Sequence, residues 1–127
     1  MKILLVRHCE AESGSPDELR RLTPSGQDAA RALGKRIAEA RPAAVLCSPL
    51  VRARKTAEAI AEACGLAAEP DDSLGPGTDA EAIRAAAAGR GEPVVVVGHQ
   101  PDCGDIVLAA TGRETAFPPG GLVEVDL

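Results

Sequence analysis

Aromatic side chains are almost absent from this sequence: it has no Trp, no Tyr and a single Phe among 127 residues. A platform that stacks single-stranded bases on ring faces is therefore excluded, and any core must be filled by Ala, Val, Leu and Ile. Excess positive charge is missing as well. The formal net charge is −5, which is not the electrostatic footprint of a duplex-binding protein. Long apolar runs are lacking too, since the opening Met-Lys-Ile-Leu-Leu-Val-Arg-His reaches a charge after four apolar residues. That is too short for a signal-peptide core or a membrane span, so no membrane partner is expected. Cys9, Cys47, Cys64 and Cys103 have neither the close pairing of a zinc site nor the company of a secretory leader. They read as reduced thiols of a cytoplasmic protein.

What is present fits one domain over residues 1–127, long enough to bury about two-thirds of its unfolded surface. Hydrophobic residues make up 45% and charged residues 26%, the balance of an ordinary folded globule rather than of a disordered tail. The charge is segregated along the chain. Residues 1–68 carry 11 Lys or Arg against 8 acids, and residues 69–127 carry 3 against 11. Any anion site must draw its cations from the first half.

Short apolar runs alternate with helical patterns. Ile3–Val6, Val45–Cys47, Val94–Val97 and Leu122–Val125 are β-branched and brief, and their continuous apolarity predicts strands covered on both faces. Thr23-Pro24 predicts a helix start, an N-cap followed by proline, running to about Ala40 with Ala29, Ala30, Leu33 and Ile37 on its apolar face. Ser48-Pro49 opens a second helix in the same way, ending at Gly65, with Arg54 and Glu58 paired on its outer face. Thr78-Asp79-Ala80-Glu81 has capping-box spacing and begins a third, which extends to Gly89. A fourth follows His99-Gln100-Pro101 to about Ala110. Residues 9–22 and 68–77 read as irregular. This alternation predicts an α/β fold, a three-layer α/β/α sandwich with a mostly parallel central sheet.

In such sheets ligands bind beyond the carboxyl ends of the strands. The residues waiting there are Arg7-His8, Ser48-Pro49 and Gly98-His99, so both histidines of the chain stand at strand ends. One histidine alone is more often a surface or core residue, but two placed in this way point to a site. Arg7 ends a buried strand, where an arginine is solvated, ion-paired to Glu10 or Glu12, or awaiting an anion. Arg52 falls in the first turn of a helix, the end at which the dipole disfavours a cation. Two guanidinium forks and helix N-termini match the oxygens of a phosphoryl group, and a neutral imidazole among them can attack phosphorus.

Four blocks make the pattern recognisable. Leu5-Val6-Arg7-His8-Cys9-Glu10 resembles the Arg-His-Gly signature of the histidine phosphatase superfamily, the phosphoglycerate mutase-like fold. Leu22-Thr23-Pro24-Ser25-Gly26, Ser48 through Ala57, and Val97-Gly98-His99-Gln100-Pro101 resemble its later blocks, in order. Short length and the Gly-His-Gln-Pro block make the chain similar to the SixA-type phosphohistidine phosphatases. The resemblance implies His8 as nucleophile, Arg7 and Arg52 as phosphate clamps, His99 as a further phosphate ligand, and neither metal nor organic cofactor. It implies a partner that is a phosphohistidine-bearing protein or a small phosphate ester.

Two departures stand out. Cys9 occupies the signature glycine, where a positive φ would be strained and a thiol would sit beside arginines. The insertion that carries a proton donor in larger relatives is missing, which leaves Asp79 as the local candidate for a general acid, beside its alternative role as a helix cap. A site without a strong acid favours leaving groups such as imidazole over alkoxides. Rival readings fare less well. Neither Cys9 nor Cys47 is followed by arginine at the sixth position, as a cysteine phosphatase requires. The glycine-rich Gly75-Pro76-Gly77 follows no strand. A metal site on His8, His99, Glu10 and Asp102 would be repelled by two arginines. A non-catalytic phosphate- or phosphoprotein-binding module stands as the alternative function, as does a general small phosphomonoesterase.

Overall fold

The computed structural model describes residues 1–127. Five strands, β1 (Lys2–Arg7), β2 (Ala44–Cys47), β3 (Ala68–Pro70), β4 (Val94–Gly98) and β5 (Leu122–Asp126), form one sheet in the order β3-β2-β4-β1-β5. All neighbouring pairs are parallel except β1 with β5. Four α-helices, α1 (Pro24–Ala38), α2 (Val51–Cys64), α3 (Ala80–Ala87) and α4 (Asp102–Thr111), connect them. None is long and apolar enough to cross a membrane.

The strand residues sort by parity, as a pleated sheet buried on both faces requires. Leu4, Val6, Val45, Cys47, Val95 and Val97 pack under α1 and α2 with Leu33, Ile37, Ala57 and Ile60. Ile3, Leu5, Leu46, Val94 and Val96 pack on the opposite face under α3 and α4, joined by Phe117. The three-layer sandwich follows directly. Small residues let α1 and α2 pack closely side by side on one face. A Cβ on Gly34 of α1 would lie 2.9 Å from the Ala59 carbonyl of α2, so only glycine fits that crossing.

Several boundaries differ from the sequence expectations for local reasons. Helix α2 starts at Val51 with Leu50 as its N-cap, and the Ser48 hydroxyl, although it accepts from Leu50 N–H at 3.2 Å, is turned toward the sheet edge. Asp79, not Thr78, caps α3, which stops at Ala87 rather than Gly89. Residues 68–70, read as irregular, form a short edge strand. Ala29 is exposed, not part of the α1 apolar face. On α2, Glu58 pairs with Lys55 at 3.1 Å instead of with Arg54.

The start of α1 is fixed from outside the helix. Thr23 Oγ1 accepts from Gly26 N–H at 2.9 Å, and Thr23 N–H donates to the Glu10 carbonyl at 3.0 Å. A Cβ on Gly26 would come within 2.1 Å of that same carbonyl. Gly26→Ala is therefore expected to cost about 1–3 kcal/mol through overpacking, measured by urea denaturation. Gly65 terminates α2 at φ +70 with open space around it, so Gly65→Ala carries only the left-handed backbone strain, about 1–2 kcal/mol. A Gly26→Ala variant as stable as the wild type would contradict this packing.

Candidate active site

Because β1, β4 and β2 are parallel and adjacent, their carboxyl ends deliver Arg7-His8, Gly98-His99 and Ser48 to one edge of the sheet. His8 N–H donates to the Gly98 carbonyl and Ser48 N–H to the Val97 carbonyl, each at 3.0 Å. Beyond this edge lies a cleft of about 360 Å³ lined by Arg7, His8, Arg52 and His99, together with Asp17 and Arg20. The four residues singled out by sequence thus meet in one place. Asp79 does not join them. Its carboxylate accepts from Ala82 N–H at 2.9 Å as the cap of α3, and its loop reaches the cleft through Pro76.

The two rings lie with centroids 5.3 Å apart, tilted by 58°. His8 Nδ1 is 2.8 Å from the Cys9 carbonyl, an acceptor with no proton to give. Nδ1 must carry the hydrogen, which leaves the lone pair on Nε2. Burial, followed by the nearby Arg52 and Arg7, lowers the His8 pKa to about 4. The imidazole is neutral at pH 7. His99 is lowered to about 4 as well, chiefly by burial and then by His8 and Arg52. Its Nε2 is 2.8 Å from Ser48 Oγ. That oxygen also accepts from Leu50 N–H at 3.2 Å, and a hydroxyl keeps both a proton and a second lone pair with which to meet the ring nitrogen.

The arginines are held by backbone rather than by neutralising side chains alone. Arg7 Nη1 donates to the Phe117 carbonyl at 2.9 Å, not to Glu10 or Glu12. Arg52 Nη1 donates to the Asp17 carbonyl at 2.8 Å and Nη2 to the Asp17 carboxylate at 3.1 Å. Arg20 Nε donates to the other Asp17 oxygen at 2.9 Å. Arg52 lowers the Asp17 pKa, so this carboxylate is ionised. Arg7 Nε, Arg52 Nε and His99 Nδ1, on side chains that line the cleft, are buried without a protein partner, as are Arg54 Nε and Thr78 Oγ1 outside its lining. Buried polar groups are rarely left unpaired.

Asp17 and Arg20 were missed by the sequence reading. Asp17 opens a 3-10 turn (Asp17–Leu19) and Arg20 follows its end, inside the segment read as irregular, with no periodicity to reveal them. Their signal was the electropositive first half and an unexplained loop. The loop is folded over the cleft by an antiparallel bridge between Ala11 and Leu22 and by Glu12 N–H donating to the Arg21 carbonyl at 2.8 Å.

Cys9 is accommodated without strain. Arg41 is the one non-glycine residue with positive φ, so Cys9 is not left-handed. Its thiol is fully buried against Leu22 and Ala30, and burial raises its pKa, which disfavours a reactive thiolate. Its N–H donates to Thr56 Oγ1 at 3.0 Å, and the Thr56 hydroxyl donates to the Arg52 carbonyl at 2.9 Å. This tie couples the His8 turn to the Arg52 turn. No three His, Cys, Asp or Glu side chains converge as a metal-ligand set; Asp102 instead accepts from Gly77 N–H at 2.8 Å.

Comparison with known proteins fits this geometry. Residues 3–75 match the sequence profile of the histidine phosphatase superfamily, branch 1. The chain belongs to the histidine phosphatase superfamily. Its matched span contains Arg7, His8 and Arg52, while His99 lies beyond it. Among solved structures, this histidine phosphatase is similar to a protein histidine phosphatase SixA complexed with tungstate, at 28% identity and a TM-score of 0.84, over 100% of this chain and 88% of that one. It is similar to SixA from Agrobacterium tumefaciens at 26% identity and a TM-score of 0.81, covering 98% of this chain and 90% of that one. SixA from Nakamurella multipartitia gives 27% identity and a TM-score of 0.74 over 94% and 80% of the two chains. No curated protein sequence matches the chain. The fold is the phosphoglycerate mutase-like α/β sandwich.

The depressed histidine pKa values link stability to pH. Below the ordinary value of 6.5 an unfolded chain binds protons that the folded one refuses until about 4. Stability from the two buried neutral rings is thus complete above pH 6.5 and is lost as pH falls toward 4. The urea midpoint of the wild type should drop across that window more steeply than that of a His8→Gln/His99→Gln variant. Parallel pH slopes would contradict the assignment of neutral, buried imidazoles.

Proposed function

We propose that this phosphatase takes its phosphoryl group from phosphohistidine on a protein, that it passes through a covalent intermediate on His8, and that residues 1–127 act as one catalytic domain using neither metal nor organic cofactor. The observation that carries the reading is the free Nε2 lone pair of neutral His8 in a cleft that Arg7, Arg52 and His99 also line. Four free cysteines support a cytoplasmic setting.

The steps follow from the protonation pattern. A bound phosphoryl group accepts hydrogen bonds from the two guanidinium groups and His99, and displaces the Asp17 carboxylate from Arg52. His8 Nε2 attacks phosphorus as the bond to the substrate nitrogen breaks. The departing imidazole, protonated on its other nitrogen, leaves neutral and requires no proton from the enzyme. Phosphorylated His8 keeps its Nδ1 proton on the Cys9 carbonyl, so it is itself an imidazolium leaving group. Water then attacks phosphorus, the Nε2–P bond breaks, inorganic phosphate departs with the water oxygen, and one water proton passes to phosphate or solvent. His8 returns to its starting tautomer.

An alkoxide leaving group would need an acid, and the nearby carboxylates are engaged otherwise: Asp79 caps α3, Asp17 has its pKa lowered by Arg52, and Glu10, which also lines the cleft, accepts from the Thr23 hydroxyl at 2.8 Å. Substrate preference is therefore expected in the order phosphohistidine peptide, aryl phosphate, alkyl phosphate. The test is steady-state turnover of all three, with phosphoenzyme trapping by rapid quench. His8→Ala should reduce turnover by about 10³-fold or more, and the wild type should show an acid-labile, base-stable phosphoenzyme that the variant lacks. Turnover of the alkyl ester equal to that of the phosphohistidine peptide would overturn the substrate assignment. Phosphate binding with no turnover of any substrate would favour a non-catalytic binding module.

A further inference from the structure

Two grooves of opposite charge flank the cleft. On the α1/α2 side a hollow of about 480 Å³ has Leu22, Ala30 and Ala59 in its wall and Arg21, Arg31 and Lys55 as its only ionisable lining groups. On the α4 side a second hollow of about 450 Å³ carries Asp105 and Glu114 beside the exposed Leu108, and has no cation. Both adjoin the cleft. Arg21 follows Arg20, Val51 of the basic groove precedes Arg52, and Gln100 lines both the cleft and the acidic groove. Since α1 and α2 cover one face of the sheet and α4 the other, the grooves lie on opposite flanks of the cleft.

A groove lined by cations alone is notable in a chain of net charge −5. Arg21 has no side-chain partner. Arg31 and Lys55 are tied only to Asp28 and Glu58, each three residues away on its own helix. Such exposed pairs are weak and exchange readily for a carboxylate arriving from outside. Apolar wall and cationic rim together suit an amphipathic acidic segment. The acidic groove repels the same segment, so the two flanks fix its direction across the cleft.

We propose that this face is a docking surface for the protein that carries the phosphoryl group, with an acidic segment of that protein seated in the α1/α2 groove. The inference rests on the substrate class proposed above and adds to it the chemistry that recognises the partner. A small phosphate ester is confined to the cleft and makes no contact with this groove.

The test uses three fluorescent peptides, identical in a central phosphohistidine and differing only in acidic, neutral or basic flanks. The wild type should process the acidic peptide with kcat/KM about 10-fold above the basic one, a preference that declines with added salt. Arg31→Glu/Lys55→Glu, at exposed positions outside the cleft, should reduce the preference to less than about 2-fold while changing aryl phosphate turnover by less than about 2-fold. No flank preference in the wild type, an undiminished preference in the variant, or an equal loss on aryl phosphate would overturn the proposal. A wild-type dimer in sedimentation that the variant abolishes would assign the groove to a second copy, and would overturn it too. If aryl phosphate is hydrolysed but no phosphohistidine peptide is, the substrate assignment fails on its own. Anisotropy of the same peptides then still decides docking, by whether the acidic one binds tightest and loses that advantage in the variant.

Discussion

The proton on His8 Nδ1 rests against the Cys9 carbonyl, and the chemistry proposed for the cleft depends on its staying there. A carbonyl only accepts, so the tautomer is dictated by backbone and does not rely on a titrating partner. The backbone that presents this carbonyl is in turn anchored. Cys9 N–H is bonded to Thr56, which is bonded to Arg52, so the first strand end and the second helix move as one piece. Burial then keeps the ring neutral among arginines that would repel a second positive charge.

Charge in the cleft is partly balanced within the protein itself. Arg52 and Arg20 share the Asp17 carboxylate, which stands where an incoming oxyanion also finds donors. Asp17 itself is on an exposed 3-10 turn with no buried residue, and the buried Arg52 holds it at 3.1 Å. The rigid members, His8, His99 and Arg52, are buried at the sheet edge and in the first turn of α2. Preorganised donors are what electrostatic stabilisation of a phosphoryl group requires.

The fold was legible where burial imposes a pattern. Continuous Val and Leu runs marked β1, β2 and β4 because both faces of those strands are covered, and Gly65 marked the end of α2 because its left-handed φ favours glycine. Ala68–Pro70 carries no such pattern, being a three-residue edge strand with little to bury. Ser48 looked like a plain N-cap, yet its hydroxyl bonds His99 across the sheet edge, a tertiary role that local spacing cannot reveal. Arg7, His8, Arg52 and His99 were legible because they interrupt buried runs or stand in an unfavourable helix turn. Asp17 and Arg20 were not, since an irregular loop gives no register from which to infer where its side chains fall.

The most direct test of this account is long-range proton–nitrogen correlation of the histidine rings by NMR across pH 3.5 to 7.5. The account predicts that His8 at pH 6 is neutral with its hydrogen on Nδ1, and that Nε2 takes up a proton only near pH 4. A His8 ring already charged at pH 6, or neutral with the hydrogen on Nε2, would contradict it.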